Sequence, residues 1–389
     1  MLRLAFGLLY WTGKPLTHDE QEYLSLARSL TAGHGFVYDA ALESGTAAQF
    51  GRAPGYPVFL AVVGAGTQVF DAVPGRVKVA QAFVGAVGVW LIGWLAARSA
   101  GALGGALAAV IAAIYPPLVS LPAYALSETL ASTLALAAAL TLQAAAAREP
   151  SRSRPRLAAA AGVLCGLAML VRPATIVFLP LAVLWLCTRR QVRIALMVAG
   201  ATVLVIAPWT VRNYRVYGRP VLIASEGGVT FWTGNHPLAI GEGDLAANPA
   251  IKRAELRFRA EHSGLSAEAL EPLYYRAALT HIREHPAWWV GLLLRKCFYL
   301  VVPVGPSYAL HSTRYRAATT APYLLLLPAA MIGLRRFRRV SEPPTAVILL
   351  AASAVLACLV FFPQERFRIP VIDPALIVCA SGVLVRSRP

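Results

Sequence analysis

Charged residues are scarce in this sequence, and acidic residues are the scarcer kind. Only 14% of its 389 residues are charged, with 36 Lys and Arg against 19 Asp and Glu, whereas soluble domains carry about 25% charged residues. Hydrophobic residues make up 57% of the chain, and several apolar runs approach the roughly 20 residues that cross a bilayer. This composition excludes an ordinary soluble domain and predicts a membrane protein.

The sequence also lacks the motifs of several common sites. No G-x-x-x-x-G-K-[ST] loop, strand-linked G-x-G-x-x-G or G-x-S-x-G elbow is present, so neither a nucleotide nor an α/β-hydrolase mechanism is indicated. The five cysteines include no C-x-x-C pair and are typical of small core residues. The net charge of +17 would suit nucleic acid in a soluble protein, but no basic face with interleaved aromatics is present, so nucleic acid is not a predicted partner.

The basic residues lie between apolar runs, which is how topology signals are placed. Apolar segments are predicted near residues 2–13, 77–97, 102–118, 126–147, 157–171, 173–187, 194–210, 320–334, 346–362 and 369–385. The loops between them hold Arg98, Arg148, Arg152, Arg154, Arg156, Arg189, Arg190, Arg193, Arg335, Arg336, Arg338 and Arg339, with Arg386 and Arg388 at the end. If the segments alternate, all these loops fall on one side, and the positive-inside rule makes that side cytoplasmic together with both termini.

The predicted fold is therefore a single all-α, polytopic membrane domain over residues 1–389, with about ten transmembrane or re-entrant helices in the inner (plasma) membrane. Residues 14–76 and 211–319 form an extracytoplasmic helical cap in this topology, with 56–70 as a re-entrant or interfacial helix. Helical patterning is expected at 250–262, 268–285 and 286–303. The first apolar run is short for a spanning helix.

Carboxylates stand at two places on the outer side. Asp19 and Glu20 follow the first apolar run, and Glu128 follows Ser127 at the start of a later one. Carboxylates beside a membrane segment are costly unless they are solvated or functional. Asp19 or Glu20 is a candidate general base, and the two are the candidate ligands if a divalent cation such as Mg²⁺ or Mn²⁺ is bound. The alternative is a helix start capped by Thr17 with acids in its first turn.

Outer arginines run against the positive-inside expectation, so a ligand for them is predicted. They are Arg52, Arg172, Arg212, Arg366 and Arg368, and Tyr56 accompanies Arg52 in a proline- and glycine-fixed turn. A lipid phosphate is the simplest partner for such arginines. Headgroup snorkelling and salt bridges to the outer acids are the alternatives.

One further pattern, His281-x-x-Glu284-His285, matches the H-x-x-E-H spacing of some zinc peptidases. Pro286 follows at once, and no third ligand outside the pattern is apparent. An amphipathic helix is the favoured interpretation.

Taken together, the motifs resemble the GT-C superfamily of membrane glycosyltransferases, in particular bacterial members similar to protein O-mannosyltransferases and the lipid A aminoarabinose transferase. The motifs are Asp19-Glu20-x-x-Tyr23, Arg52-x-Pro54-x-Tyr56-Pro57, Ser127-Glu128, Arg172-Pro173, Pro208-Trp209-x-x-Arg212-Asn213-Tyr214, Gly234-Asn235-His236-Pro237, His285-Pro286 and Arg366-Phe367-Arg368-x-Pro370. The resemblance covers nearly the whole chain, with two departures: a short first helix, and no large C-terminal domain after residue 389.

The resemblance implies an inverting transfer of a sugar from polyprenyl phosphate to an acceptor hydroxyl outside the cytoplasm. It implies Asp19 as the base, Glu20 as its neighbour, and Glu128 as the second acid near the acceptor. The expected partners are the lipid-linked sugar, membrane lipid, and a glycan, lipid or protein acceptor. A transporter or flippase for lipid-linked saccharides and a glycan polymerase or ligase are the alternatives.

Overall fold

The computed structural model describes residues 1–38, 51–147, 152–243 and 245–385. Arg148, Arg386 and Arg388 of the predicted basic loops lie outside these ranges. Within them the chain forms helices and no β-strand, apart from one isolated bridge between Pro15 and Ala72. The all-α prediction is confirmed.

The helices are numbered here in chain order. They are α1 (Leu2–Ala5), α2 (His18–Thr31), α3 (Gly55–Val62), α4 (Gly75–Ile114), α5 (Pro116–Ser120), α6 (Glu128–Ala145), α7 (Arg154–Val171), α8 (Phe178–Thr188), α9 (Val192–Tyr217), α10 (Gly227–Asn235), α11 (Pro249–Glu261), α12 (Ala267–Glu284), α13 (Pro286–Val301), α14 (Pro306–Ala309), α15 (Thr313–Phe337), α16 (Thr345–Val360), α17 (Glu365–Arg368) and α18 (Ile372–Ser381). A π-helical turn, Phe6–Tyr10, continues α1, and 3-10 turns lie at Leu121–Ala123, Pro173–Val177 and Gly382–Leu384.

Five of these helices, α4, α6, α7, α9 and α15, are long and apolar enough to cross a membrane. Three shorter apolar stretches, Pro173–Thr188, Thr345–Val360 and Ile372–Leu384, pack among them. The chain is thus a multi-pass membrane protein.

The helix α4 contains two crossings rather than one. Gly101 has a φ of 75°, which a residue with a side chain rarely adopts. Beyond Gly101 the chain turns back on itself. Gly93 in the first arm lies close to Ala109 in the second, since a Cβ on Gly93 would meet the Cβ of Ala109 at 3.0 Å. The two arms match the predicted segments 77–97 and 102–118.

The first apolar run, predicted as a membrane segment over residues 2–13, forms a helix too short to cross the membrane by itself. Only nine residues, Leu2–Tyr10, are helical there, and at about 1.5 Å per residue they cover less than half of a hydrocarbon core of roughly 30 Å. The segment is held instead against α4, since Lys78 Nζ donates to the Gly7 carbonyl at 3.1 Å. Arg3 Nη2 donates to the carbonyl of Ala112 at 3.1 Å. Its polar anchors, rather than its length, explain its position.

Several basic loops meet at one end of the bundle. Arg98 pairs with Glu342 at 3.4 Å, Gln143 Nε2 donates to the Pro343 carbonyl at 3.1 Å, and Arg336 donates to the Val385 carbonyl at 3.4 Å. The loops before α16, after α6 and at the end of the described chain are therefore neighbours. That this end faces the cytoplasm stays a prediction.

The opposite end is formed by the two segments expected to build the cap. The predicted helices at 250–262, 268–285 and 286–303 correspond to α11, α12 and α13, which pack with α10 around Trp232, Tyr274 and Leu292. Residues 56–70 form only the eight-residue helix α3, too short to cross. A hydrogen bond of 2.8 Å from Gly51 N to Ser225 Oγ joins the two cap segments.

Candidate active site

The capped first turn of α2 fixes the position of Asp19. Thr17 caps the helix, because its hydroxyl accepts from the Glu20 N–H while Glu20 Oε2 accepts from the Thr17 N–H at 2.8 Å. The other oxygen of Glu20 accepts from the N–H of Ala125 at 2.9 Å. Glu20 is buried and both of its oxygens are engaged. It therefore ties α2 to the loop that leads into Glu128, whereas Asp19, one residue earlier, points elsewhere.

The carboxylate of Asp19 bridges two arginines that come from distant parts of the chain. Arg52 Nη2 lies 2.7 Å from Oδ1, and Arg366 Nη1 lies 2.7 Å from Oδ2. Burial alone would raise the pKa of Asp19, but the charges and hydrogen bonds of these two arginines hold it well below its usual range. Asp19 is thus ionised and central to the cluster.

Around Arg52 lies a group that we call the acidic half, formed by Asp19, Glu22 and Glu226 with Arg52 at its centre. Arg52 Nε donates to Glu22 Oε2 at 2.7 Å, and Nη1 to Glu226 Oε2 at 2.7 Å. Burial lowers the pKa of Arg52, yet the surrounding carboxylates raise it well above the usual value. Burial raises the pKa of Glu226, and the nearby charges of Asp19 and Glu22 raise it further against the pull of Arg52. Three carboxylates here share one guanidinium.

On the other side of Asp19 lies the basic half, formed by Arg172 and Arg366 around Glu128. Arg172 Nη1 lies 2.9 Å and Arg366 Nε 3.2 Å from the same oxygen, Glu128 Oε1. Glu128 is fully buried, and its second oxygen accepts no hydrogen bond from the described residues. Two guanidinium groups here share one carboxylate, the reverse of the proportion around Arg52, and Arg366 also pairs with Asp19.

Local sequence explains why these side chains converge. Ser127 precedes the first residue of α6, so Glu128 enters the bundle at the end that carries α2. Arg172 is extended (φ −144°, ψ 103°) because Pro173 follows and disfavours a helical residue before it. Its guanidinium and that of Arg366 lie 5.2 and 5.8 Å from the ring of Phe367, which is a favourable cation–π range.

Three of the predicted phosphate ligands lie apart from this ion chain. Tyr56 is fully buried, its ring edge-on to Tyr23 and its hydroxyl donating to Gln81 Oε1 at 3.1 Å. Arg368 is buried with its Nε 2.9 Å from Asp373 Oδ1 and its guanidinium over the ring of Tyr323. In the described structure, both serve the core rather than the cluster.

Arg212 is different from these two. It forms no ion pair with any residue that the structure describes; its nitrogens donate to Asn213 Oδ1 and the Tyr217 hydroxyl, each at 3.2 Å. The ring of Trp209 lies 4.9 Å from its guanidinium. An uncompensated cation held by aromatic rings is suited to an anionic ligand.

Sequence reasoning did not single out Glu22 and Glu226, the two remaining acids of the cluster. Glu22 carried a signal, because it stands three residues after Asp19 and so shares a face of α2. Glu226 carried none, since it contacts Arg52 across 174 residues of sequence. The motif around Gly234 and Asn235 lies outside the cluster: Asn235 accepts hydrogen bonds from Lys296 and Trp289, each at 3.1 Å.

The acids at 19 and 20 do not form a cation site in this arrangement. Arginine nitrogens lie against both oxygens of Asp19, and Glu20 is bound to backbone N–H groups and to Thr17. A divalent ion would need to displace the arginines. The residues present therefore fit an anionic ligand better than a resident metal.

Comparisons with known proteins bear on part of the sequence and on the fold of this polytopic helical bundle. Residues 52–211 match the protein family described as dolichyl-phosphate-mannose-protein mannosyltransferase. The fold is similar to that of ArnT from Cupriavidus metallidurans bound to undecaprenyl phosphate, with a TM-score of 0.59, 14% identity, and coverage of 100% of this chain and 60% of that one. The match to the family model covers less than half of the chain, and the likeness to ArnT, at 14% identity, shows a similar fold.

A second similar structure is the archaeal oligosaccharyltransferase AglB from Archaeoglobus fulgidus in complex with an inhibitory peptide and a dolichol-phosphate. The TM-score is 0.54 at 13% identity, covering 99% of this chain and 49% of that one. The chain thus spans about half to three fifths of the structures it resembles. No curated protein matches it in sequence.

Proposed function

We propose that this chain is an inverting glycosyltransferase that moves a sugar from a polyprenyl-phosphate donor to an acceptor hydroxyl at the extracytoplasmic face of the inner membrane. The observation that carries the proposal is the ion chain in which Arg366 bridges Asp19 and Glu128. It combines a candidate base with cations for a phosphate at one end of a membrane bundle. The resemblance to structures that contain undecaprenyl phosphate and dolichol-phosphate supports the same class of donor.

The charge distribution supports a division of labour between the two halves. A donor phosphodiester carries one negative charge and the departing phosphate carries more, so it belongs beside Arg172 and Arg366 rather than among the carboxylates around Arg52. Arg212, which has no carboxylate partner among the described residues, is a further cation for it. We assign Arg52 and Glu20 to positioning Asp19, and Tyr56 and Arg368 to the packing around the site.

The chemical step is a direct displacement. The acceptor oxygen forms a bond to the anomeric carbon as the bond from that carbon to the phosphate oxygen breaks, and the electron pair leaves with the phosphate. The acceptor proton goes to Asp19. A single displacement inverts the anomeric carbon.

The low pKa of Asp19 in the ion chain makes it a weak base as long as both arginines hold it. A donor phosphate competes for the same arginines, and Arg366 is the shared one. Donor binding at the basic half therefore makes Asp19 more basic when the substrate is present.

The test is sugar transfer by the purified protein in lipid vesicles that contain a polyprenyl-phosphate sugar. Asp19→Asn is expected to reduce turnover by roughly 10²–10⁴-fold, since a general base contributes about that much. Gln21→Ala, a change on the exposed side of the same helical turn, is the matched control and should keep wild-type turnover. Wild-type turnover by a folded Asp19→Asn variant would exclude Asp19 as the base.

Mass spectrometry of lipid that co-purifies with the protein tests the donor directly. A polyprenyl phosphate is expected. Labelled lipid that crosses the vesicle membrane without chemical change would favour a flippase instead, and products that carry whole glycans would favour a polymerase or ligase.

A further inference from the structure

A second group of chemistry-bearing side chains lies in the cap, outside the ion chain. His281 and Glu284 belong to the last turn of α12, and His285 is the residue between α12 and α13. One ligand atom from each of the three lies within 4.8 Å of the other two. Among the described residues this is the group whose donors converge in this way.

Backbone geometry brings the three donors to one face. His281 and His285 are four residues apart, so their rings are neighbours on the helix surface, with centroids 4.4 Å apart and planes tilted by 33°. The Nδ1 of His285 lies 3.2 Å from the carbonyl oxygen of His281. An Nδ1–H donated to a carbonyl fixes the ring and leaves the lone pair on Nε2, which is a common arrangement of metal-bound histidine.

The three side chains are also accessible to a metal ion from solvent. Glu284 and His285 are exposed and His281 is half-buried. Glu284 makes no hydrogen bond or ion pair with a described residue. Small rotations of these side chains would shorten the present spread to the spacing of ligands that each lie about 2.0–2.2 Å from one ion.

The donor set selects the kind of ion. Imidazole nitrogen suits Zn²⁺ and its neighbours in the first transition series, whereas Mg²⁺ and Ca²⁺ prefer oxygen alone. Three protein ligands leave one coordination position for water or an exchangeable group. We propose that His281, Glu284 and His285 form a Zn²⁺-class metal site at the junction of α12 and α13.

The location gives the site a structural consequence. Pro286 starts α13 immediately after the cluster, so the angle between α12 and α13 depends on the backbone at His285 (φ −129°, ψ 58°). A metal held by His281 and Glu284 of the last turn of α12 and by His285 would fix the backbone at His285, from which the amphipathic α13 begins. The ring of Trp288, in the first turn of α13, lies 4.7 Å from that of His281, so it would report on binding.

The test uses full-length protein without a polyhistidine tag, stripped of metal with EDTA and titrated with zinc chloride by calorimetry and with cobalt chloride by visible absorption. One equivalent per chain is expected to bind. His285→Ala and Glu284→Gln should each weaken binding by at least about 10–100-fold, the range for loss of an outer partner of a metal ligand, because each removes a ligand itself. His34→Ala, which removes an exposed histidine elsewhere, should leave the affinity unchanged.

A further variant separates this site from the proposed active site. Asp19→Asn should bind Zn²⁺ as the wild type does, whatever happens to sugar transfer. Loss of the bound equivalent in Asp19→Asn, with retention in His285→Ala and Glu284→Gln, would overturn the proposal and place the metal at the first loop.

Fluorescence gives a readout that activity does not. Nickel chloride is expected to quench part of the tryptophan emission of the wild type, and Trp288→Phe should remove that part. Quenching that is the same in the wild type, Trp288→Phe and Glu284→Gln would show that nickel binds elsewhere. Because Glu284 is exposed, Glu284→Gln should fold normally, which circular dichroism checks.

Discussion

The acidic half and the basic half of the ion chain are built from the same residue types in opposite proportions. Around Arg52, three carboxylates share one guanidinium; around Glu128, two guanidinium groups share one carboxylate. The acidic half is self-sufficient, because its single arginine is saturated. Within the basic half guanidinium groups outnumber carboxylates, although Arg366 also pairs with Asp19. This difference is the basis of the proposal that the first half positions Asp19 and that an anionic ligand binds beside the second.

The largest effect is expected from removing Arg366, which contacts Asp19 of the acidic half and Glu128 of the basic half. Arg366→Gln should reduce kcat/KM for sugar transfer by about 10²–10³-fold, as loss of one donor to a developing anion typically does. Arg366→Lys should recover part of it, since the charge is kept without the two-pronged geometry. Kinetics with a polyprenyl-phosphate sugar measure both variants, and equal activity of Arg366→Gln and wild type would contradict a role in phosphate binding.

Removing the central arginine of the acidic half should instead affect stability. Arg52→Gln leaves Asp19, Glu22 and Glu226 without their shared cation, and loss of one partner of a buried ion pair costs about 3–5 kcal/mol. Denaturant unfolding in detergent measures this free energy. The double variant Arg52→Gln/Glu22→Gln should be more stable than the single one, because it removes one of the stranded charges. Additive losses in the double variant would show that Glu22 and Arg52 are not coupled.

The pH dependence of thermal stability tests whether the concentration of acidic residues around Arg52 extends to Glu271 in the cap. Burial, helped by the nearby charges of Glu268 and Glu226, raises the pKa of Glu271 to about 7 from 4.5. The native state then binds more protons than the unfolded state between these values, so this residue makes stability fall as pH rises through that window. Tm measured from pH 4.5 to 7 should be flatter in Glu271→Gln than in the wild type. Glu261→Gln, an exposed change in α11, is the control and should keep the wild-type slope.

The smallest expected effect belongs to Glu20, the neighbour of the proposed base. Glu20→Gln keeps the shape of the cap while weakening its charged hydrogen bonds, so a stability loss of about 0.5–1 kcal/mol is expected. Turnover should stay near wild type, since Asp19 is untouched. A loss of turnover comparable to that of Asp19→Asn, at normal stability, would move Glu20 from positioning into catalysis.

The positions of most helices could be predicted from the sequence, because the period and the length of an apolar run are local signals. The cap helices α11, α12 and α13 and the two arms of α4 fall where the pattern predicts them. The exception is the first segment, which is predicted as an apolar membrane segment although its run is short, and which Arg3 and Lys78 fasten to α4 through hydrogen bonds. Contacts between residues that are far apart in the chain cannot be predicted from a short stretch of sequence.

The members of the candidate site could be predicted in part, but their contacts could not. Asp19, Glu128, Arg52, Arg172 and Arg366 were expected on one side and lie in one ion chain. Which of them touch was not readable, because Arg366 reaches Asp19 across 347 residues. The same limit hid Glu226. It also hid the burial of Tyr56 and Arg368, since a buried side chain in a motif-rich turn has the same sequence signature as an exposed one.

The distance along the chain between Asp19 and Arg366 has a consequence for biogenesis. The ribosome delivers α2 long before α17, and domains of a chain order themselves as synthesis proceeds. Until α17 is inserted, Asp19 lacks one of its two cations and Glu128 lacks Arg366. The ion chain is therefore completed only after α17 has been inserted, so that a shorter, partly synthesised chain lacks the full cluster.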